Sequence, residues 1–440
     1  MLRFLKRIKV VFAAVVLLSI FSSYVFIDET EKQKVVLVAV LQNMLQYHYS
    51  APEINDDFSS KVFESHLKDL DYNKRFFNQA DYAFLKKFEK NLDDELESQQ
   101  FNYFEAANSL FNKKIEFVNS FYKKILENPF DFTVDEKVEL DAEKRAFAAN
   151  DTAFEELWRK YLKYQVLINI VGKLEIQEKA QETKDTTVKI KSFVVLEAEA
   201  RAKVAKTHED MFKRLSKVTK TDRFSEYINA IVHVFDPHSD FFPPKDKENF
   251  DIQLSGRLEG IGATLQEKEG YIKVMAIMPG SPSAKQGELK AEDLILKVGQ
   301  GNEEPVDVVD MRLDNAVKLI RGKKGTWVKL TVKKPSGIIK VISILRDVVV
   351  MEESYAKSIL VNDSKNSQKI GYINLPSFYV DFNNRGGRSC SEDIKKELLK
   401  LKAENVEGIV LDLRNNGGGS LDDVVKMGGL FIDQGPIVQV

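Results

Sequence analysis

Leu411-Asp412-Leu413-Arg414-Asn415-Asn416-Gly417-Gly418-Gly419 is a short apolar run that breaks into three consecutive glycines ahead of an apolar helix from Ser420 to about Phe431. Read outward, Lys369–Leu375 predicts a strand, Glu392–Lys402 a helix and Gly408–Leu413 a second strand. Strand, helix and strand in that order imply a parallel pair joined by a right-handed crossover. The glycines let a ligand or another backbone come close, and the helix start behind them favours negative charge. Such a loop suits a phosphate or a developing oxyanion. Neither Gly-x-x-x-x-Gly-Lys nor a helix-opening Gly-x-Gly-x-x-Gly is present, which argues against a nucleotide. Residues 348–440 therefore read as an α/β core. Its last run, Pro436-Ile-Val-Gln-Val, is a further strand start, so the sheet reads as unfinished.

Upstream, residues 245–345 change to short β-branched runs separated by glycine and proline. Strands are expected at 271–278, 293–299, 326–333 and 338–345, with a helix from Asp314 to Arg321 ended by Gly322. The run Arg257-Leu-Glu-Gly260-Ile261-Gly262-Ala263 enters this region. A glycine-flanked loop leading into a strand can turn successive N–H groups inward as a nest for a carboxylate, and the strand edge can take an extended peptide. An ordinary glycine turn would look the same taken alone.

Of 22 glycines only Gly172 lies before residue 256, so the first half lacks the punctuation of sheets. Phe104, Phe111, Ile115, Val118, Tyr122 and Ile125 instead form one helical stripe, with Lys113, Lys114, Glu116 and Lys123 between them. Residues 187–219 read as another long, charged helix. Residues 35–235 are expected to be all-helical, with aromatic stripes as core. The boundary is Asp236-Pro-His-Ser-Asp-Phe-Phe-Pro-Pro, where prolines bar regular structure.

Together these segments resemble known families. Gly260–Ala263, Pro279-Gly-Ser-Pro-Ser-Ala, Gly287-Glu-Leu-Lys, Asp293–Val298 and the helix at 314–320 resemble a PDZ domain of the bacterial protease type over about 245–335. Asp412-Leu-Arg-Asn-Asn-Gly-Gly-Gly, Lys369-Ile-Gly-Tyr-Ile with Phe378-Tyr379, Asp236-Pro-His-Ser and Leu70-Asp-Tyr-Asn-Lys-Arg-Phe-Phe resemble the C-terminal processing, or tail-specific, peptidases of S41 type. The implied fold is multidomain α+β: a helical N-terminal domain, a β-rich PDZ-like domain and the start of an α/β protease core.

The resemblance implies a serine-type endopeptidase that recognises free, apolar C-terminal tails of protein or peptide substrates. Gly260, Ile261, Gly262 and Ala263 map to the loop that holds the terminal carboxylate. Leu313, Ala316, Val317 and Ile320 map to the helix lining the groove, although core packing would also explain them. A Ser–Lys dyad carries out catalysis in the family. A serine needs a base, and a lysine serves only when burial lowers its pKa. No residue here matches either position, so both are expected beyond residue 440 and the chain as given is expected to be inactive. Gly417 and Gly418 are the oxyanion-hole candidates. Asp412 and Arg414 are expected to stabilise the loop, and Ser420 to cap a helix. The competing reading is a non-catalytic, PDZ-containing envelope adaptor on a degenerate protease scaffold. A third is a helical structural protein whose β-rich part merely packs.

Composition sets limits on partners. The 440 residues suggest about three domains, and a net charge of −2 gives no global pull toward nucleic acid. Cys390 is the one cysteine, so no intramolecular disulfide forms, and it is read as incidental rather than nucleophilic. Five histidines show no metal-ligand spacing, and no cofactor site is seen. Ser239 beside His238 and Asp240 reads as a turn, since adjacent residues cannot assemble a triad. Arg3, Lys6, Arg7 and Lys9 precede the uncharged run Val10–Ile27, so residues 1–27 read as a signal peptide or membrane anchor, with a buried helix as the plainer reading. The expected location is exported: periplasmic, or tethered at the outer face of the inner membrane. An adaptor protein on the helical domain is a further expected partner.

Overall fold

A computed structural model describes residues 28–363, 368–384 and 386–439, so the expected signal or anchor segment at 1–27 lies outside the described residues. The chain divides into two compact units, Met1–Phe241 and Phe242–Val440.

Every regular element described in the first unit is a helix: α1 Glu29–Tyr47, α2 Asp56–Asp71, α3 Gln79–Leu85, α4 Leu92–Ser98, α5 Asn102–Glu127, α6 Asp151–Thr183, α7 Phe193–Leu215 and α8 Lys220–Phe235. Side-chain caps fix several starts. Asn55 accepts the N–H groups of Asp57 and Phe58, and reciprocal capping boxes join Asn78 to Asp81 and Thr219 to Asp222. The stripe expected on α5 faces inward: Phe104, Phe111, Val118 and Tyr122 are buried, with Ile115 and Ile125 at the margins. At 26 residues, about 39 Å, this helix serves two cores in turn. Tyr103, Phe104, Ala107 and Phe111 belong to the first; Val118, Phe121, Tyr122 and Leu126 to the second.

The helix expected over 187–219 is shorter than its pattern. The Gln177 side chain accepts the Lys191 N–H at 2.5 Å, and α7 starts only at Phe193. Leu70–Phe77 carries the end of α2 into a turn held by Asp71. Asp71 accepts the N–H groups of Arg75, Phe76 and Phe77 at 2.7, 2.9 and 2.9 Å, while Trp158 Nε1 donates to the Arg75 carbonyl at 2.8 Å. The motif thereby ties α2 to α6.

His66 lies 1% exposed in the first core, 3.1 Å from the Tyr103 hydroxyl, with no partner for Nε2. Burial, and secondarily the positive Arg223, lower its pKa from 6.5 to about 3. The folded unit thus binds fewer protons than the unfolded chain between those values. This contribution to stability is complete above pH 6.5 and is lost as pH falls toward 3. Urea titrations should show about 2 kcal/mol lost from this source between pH 7 and 5, and His66→Phe should flatten that slope. An unchanged slope in the variant would contradict the assignment.

Residues 236–243 carry no helix or strand, as expected, and α9, Pro244–Ser255, the first element of the second unit, takes in only the last proline of that stretch. Proline is tolerated in a first helical turn because no intrahelical bond needs its N–H. The helix ends at Gly256, φ +66°. Then follow β1 Arg257–Gly260, β2 Ala263–Lys268, β3 Tyr271–Ile277, α10 Pro282–Gln286, β4 Leu294–Gln300, β5 Val306–Asp307, α11 Leu313–Ile320, β6 Trp327–Lys333, β7 Ile339–Leu345 and β8 Asp347–Val350. The four expected strands and the expected helix recur within a residue or two. The sheet runs β2-β3-β4-β6-β7 with β5 on β4, and β1 pairs separately with β8. Ile272, Val274, Ile295, Val298, Leu330 and Ile342 fill its core.

The last part contains β9 Lys357–Asp363, β10 Gln368–Asn374, α12 Cys390–Ala403, β11 Gly408–Asp412 and α13 Leu421–Gly428. β10 and β11 are parallel, from Ile370 opposite Gly408 to Asn374 opposite Asp412, as the strand–helix–strand order predicts. β9 adds an antiparallel strand on the other side of β10. α13 ends before Phe431, because Leu430 and Phe431 donate to Met427 and Gly428 in tight turns. No helix among the described residues is long and apolar enough to cross a membrane.

Candidate functional site: a tail loop and a glycine loop

Both candidate loops belong to the second unit. Gly260 ends β1 and Ala263 begins β2, leaving Ile261 and Gly262 as the joint. Gly260, Ile261 and Gly262 are buried and Ala263 half-buried. Gly262 has φ +70°, and a Cβ there would stand 2.2 Å from Ser281 Cβ. The loop's carbonyls are occupied. The Ile261 carbonyl accepts from Ser283 N–H at 2.9 Å, and that of Gly262 from Met278 N–H at 3.0 Å and Ser281 Oγ at 3.1 Å. The N–H groups of Ile261 and Gly262 have no hydrogen-bond partner among the described residues. Buried backbone donors are rarely left open, which marks this pair as the candidate anion site.

The strand leaving this loop, β2, is an edge strand paired only with β3. α11 packs beside it. Ala316 and Ile320 of α11 are fully buried in the core, and Leu313 sits at the core margin. Val317 is half-buried without joining that cluster, so of the four it is the one left as a candidate for the groove wall. The Ile261 side chain also belongs to the core, so this residue offers its backbone alone.

The second loop hangs on Asp412 at the end of β11. Its carboxylate accepts from Arg414 N at 3.0 Å, Nε at 2.9 Å and Nη2 at 2.8 Å, and from the Tyr372 hydroxyl. The Arg414 contacts, then Tyr372, hold this carboxyl well below the usual range, so it is a clamp and not a proton acceptor. Asn416 donates to the Leu375 carbonyl at 3.0 Å and accepts the Gly418 N–H at 2.8 Å. Phe378 N–H donates to the Gly418 carbonyl at 2.9 Å, and Ser420 N–H to the Phe378 carbonyl at 2.8 Å. The two oxyanion candidates are therefore unequal. The N–H of Gly418 is taken by Asn416, whereas that of exposed Gly417 has no partner among the described residues. The roles of Asn416 and Phe378 as loop holders had no sequence signature, because each acts on a distant backbone group.

Ser420 caps α13, accepting Asp423 N–H at 3.2 Å, and its hydroxyl donates to Asp423 at 2.9 Å. A hydroxyl held by a carboxylate in a cap is no activated nucleophile. Burial pushes the Cys390 thiol up to about 12, with Asp423 adding to the effect, so it stays a thiol. Ser239 donates to Asp236 at 2.7 Å while Asp240 lies 2.9 Å from His233, so 236–240 is a turn and not a triad.

Three family descriptions match the chain in order. Residues 40–245 match the tail specific protease N-terminal domain, 251–333 the PDZ domain and 369–440 peptidase family S41. In this order of regions the chain is similar to the tail-specific proteases. A tail-specific protease of Haemophilus influenzae is 30% identical over 414 residues, which are 93% of this chain and 55% of that protein. The carboxy-terminal processing protease of Bacillus subtilis is 34% identical over 207 residues, 47% of this chain and 40% of that protein. Among solved structures, the PDZ domain of a Vibrio cholerae carboxy-terminal protease in complex with a peptide is 42% identical, covering 21% of this chain and 97% of that one, at a TM-score of 0.21. The chain thus spans about half the length of the curated relatives it matches. The Ile261–Gly262 pair and the open strand edge lie in the PDZ-matching region, and the glycine loop lies in the S41-matching region.

Proposed function

We propose that the protein is a serine-type endopeptidase that selects protein substrates by a free, apolar C-terminus. The carrying observation is the pair of open N–H groups at Ile261 and Gly262, set at the head of the edge strand β2. The terminal carboxylate accepts both N–H groups. The residues before it pair along β2, and an apolar side chain lies against Val317. In the S41 region, the Gly417 N–H is a donor for the oxyanion formed when a serine hydroxyl attacks the scissile carbonyl. The Ser–Lys pair that the family resemblance implies supplies nucleophile and base. Asp412, Arg414 and Asn416 hold the loop that presents Gly417.

Substrates in this proposal are exported proteins, processed or degraded outside the cytoplasm. The basic flank and uncharged run of residues 1–27 support that location and a membrane tether. An adaptor on the helical unit is a further proposed partner, supported by exposed apolar side chains at Ile168, Val171 and Ile176 of α6 and Val194 of α7.

The test uses the protein expressed from its full coding sequence and a reporter protein with an apolar C-terminal extension. Cleavage is expected, with sparing of the same reporter ending in two aspartates. Equal turnover of both would contradict tail selection. Retained tail binding without cleavage would favour the non-catalytic adaptor.

A further inference from the structure

A second concavity lies in the PDZ region, with no lining residue from β2 or the Gly260–Ala263 loop. It has a volume of 1280 Å³. Its walls are the turn after β4, the Asn315–Lys318–Leu319 side of α11 and Trp327 at the start of β6. Trp327 is 52% exposed, an uncommon state for a tryptophan without a ligand or partner to cover it.

The charge around it is one-sided. Lys318, Arg321, Lys323 and Arg346 line the trough, against one acid, Glu303. Arg321 is engaged, donating to Asn249 at 2.9 Å with Glu248 at 3.6 Å. Lys318 and Lys323 form no ion pair among the described residues. Arg346 is the decisive member. It is 3% exposed, and its guanidinium donates to five neutral oxygens: those of Ile320, Thr326, Trp327, Gln300 and Leu319, at 2.7 to 3.4 Å. No carboxylate meets it among the described residues. A desolvated cation without a counter-charge projects its field into the nearest open space, which here is the trough.

We propose that this trough is a second peptide site, for an acidic segment carrying an apolar side chain. Carboxylates take positions over Lys318 and Lys323 and supply the counter-charge that Arg346 lacks. The apolar side chain covers Trp327 and Leu319. The site is separate from the tail groove, and a blocked peptide with no free C-terminus suffices to occupy it.

Trp327 provides the readout, since the only other tryptophan, Trp158, is 2% exposed in the first unit. The full chain is titrated with a hexapeptide of alternating glutamate and leucine, acetylated and amidated. Expected are a saturable blue shift, weakening as salt rises, and affinity lowered about tenfold or more by Lys318→Glu with Lys323→Glu. Both lysines are exposed, so the double variant should keep the parent's circular dichroism and melting curve. The proposal is overturned by no shift at millimolar peptide, by an unchanged affinity in the double variant, or by equal binding of a capped hexapeptide of alternating lysine and leucine. A shift produced by phosphatidylglycerol vesicles and not by the peptide would also overturn it. None of these outcomes bears on tail reading.

Discussion

Gly262→Ala is expected to abolish tail binding and to cost about 2–5 kcal/mol of stability in the second unit. The backbone part comes from φ +70°, where an L side chain costs about 1–2 kcal/mol. The steric part comes from the new Cβ, 2.2 Å from Ser281 Cβ, an overlap worth about 1–3 kcal/mol even after local relaxation. The two parts are separable. Ser281→Gly removes the clashing atom; it also removes the helix cap, worth a few tenths of a kcal/mol, and the Oγ bond to the Gly262 carbonyl, worth about 0.5–1.5 kcal/mol, and the single variant measures that cost. In that background Gly262→Ala should keep its backbone penalty and lose its steric one. Denaturant titrations of the two single variants and the double variant measure both parts. A Gly262→Ala protein with parental stability and parental tail affinity would show that the loop is not held as described.

The second large effect belongs to Gly419→Ala. Its φ is +144°, and its Cβ would meet the Phe378 carbonyl oxygen at 2.2 Å and carbonyl carbon at 2.7 Å. Those are backbone atoms, which cannot swing aside as a side-chain tip can. Relief requires separating the glycine loop from the Phe378 segment. That movement breaks the Phe378-to-Gly418 and Ser420-to-Phe378 hydrogen bonds. Two such bonds at about 0.5–1.5 kcal/mol each, added to the overlap, put the loss at about 3 kcal/mol or more. Gly417→Ala is the matched control, because its Cβ meets nothing within 4 Å and its φ is negative. Hydrogen exchange at Phe378 and Ser420 should accelerate strongly in Gly419→Ala and hardly change in Gly417→Ala. The reverse order would contradict the loop geometry.

Much of this architecture was readable in the sequence because it repeats a simple period. The α5 stripe, the β-branched runs of β3, β4, β6 and β7, and the strand–helix–strand order around α12 each declare themselves over several residues. The elements to which the sequence reading gave no range lack that redundancy. β2 reads Ala-Thr-Leu-Gln-Glu-Lys, a strand whose charges suit an unpaired edge and hide its periodicity. α9 begins with a proline that looks like a breaker but sits where a helix tolerates it.

The site was legible as motifs and not as directions. The Gly260–Ala263 loop and the Gly417–Gly418 pair could be named from spacing. Which glycine keeps a free N–H depends on Asn416, which reaches the Leu375 carbonyl and the Gly418 N–H together. The four wall candidates on α11 look equivalent in sequence, yet packing takes Ala316 and Ile320 into the core. Arg346 gave no signal at all, since its lack of a counter-ion appears only when five distant oxygens are brought around it.

The central claim is that a terminal carboxylate sits on the Ile261 and Gly262 N–H groups. The most direct test compares two fluorescent peptides of the same apolar sequence, one ending in a free carboxylate and one amidated, by anisotropy against this chain. Replacing charge-assisted hydrogen bonds worth about 1.5–3 kcal/mol should weaken the amide roughly 10- to 100-fold. Equal affinity for the two forms would contradict the account.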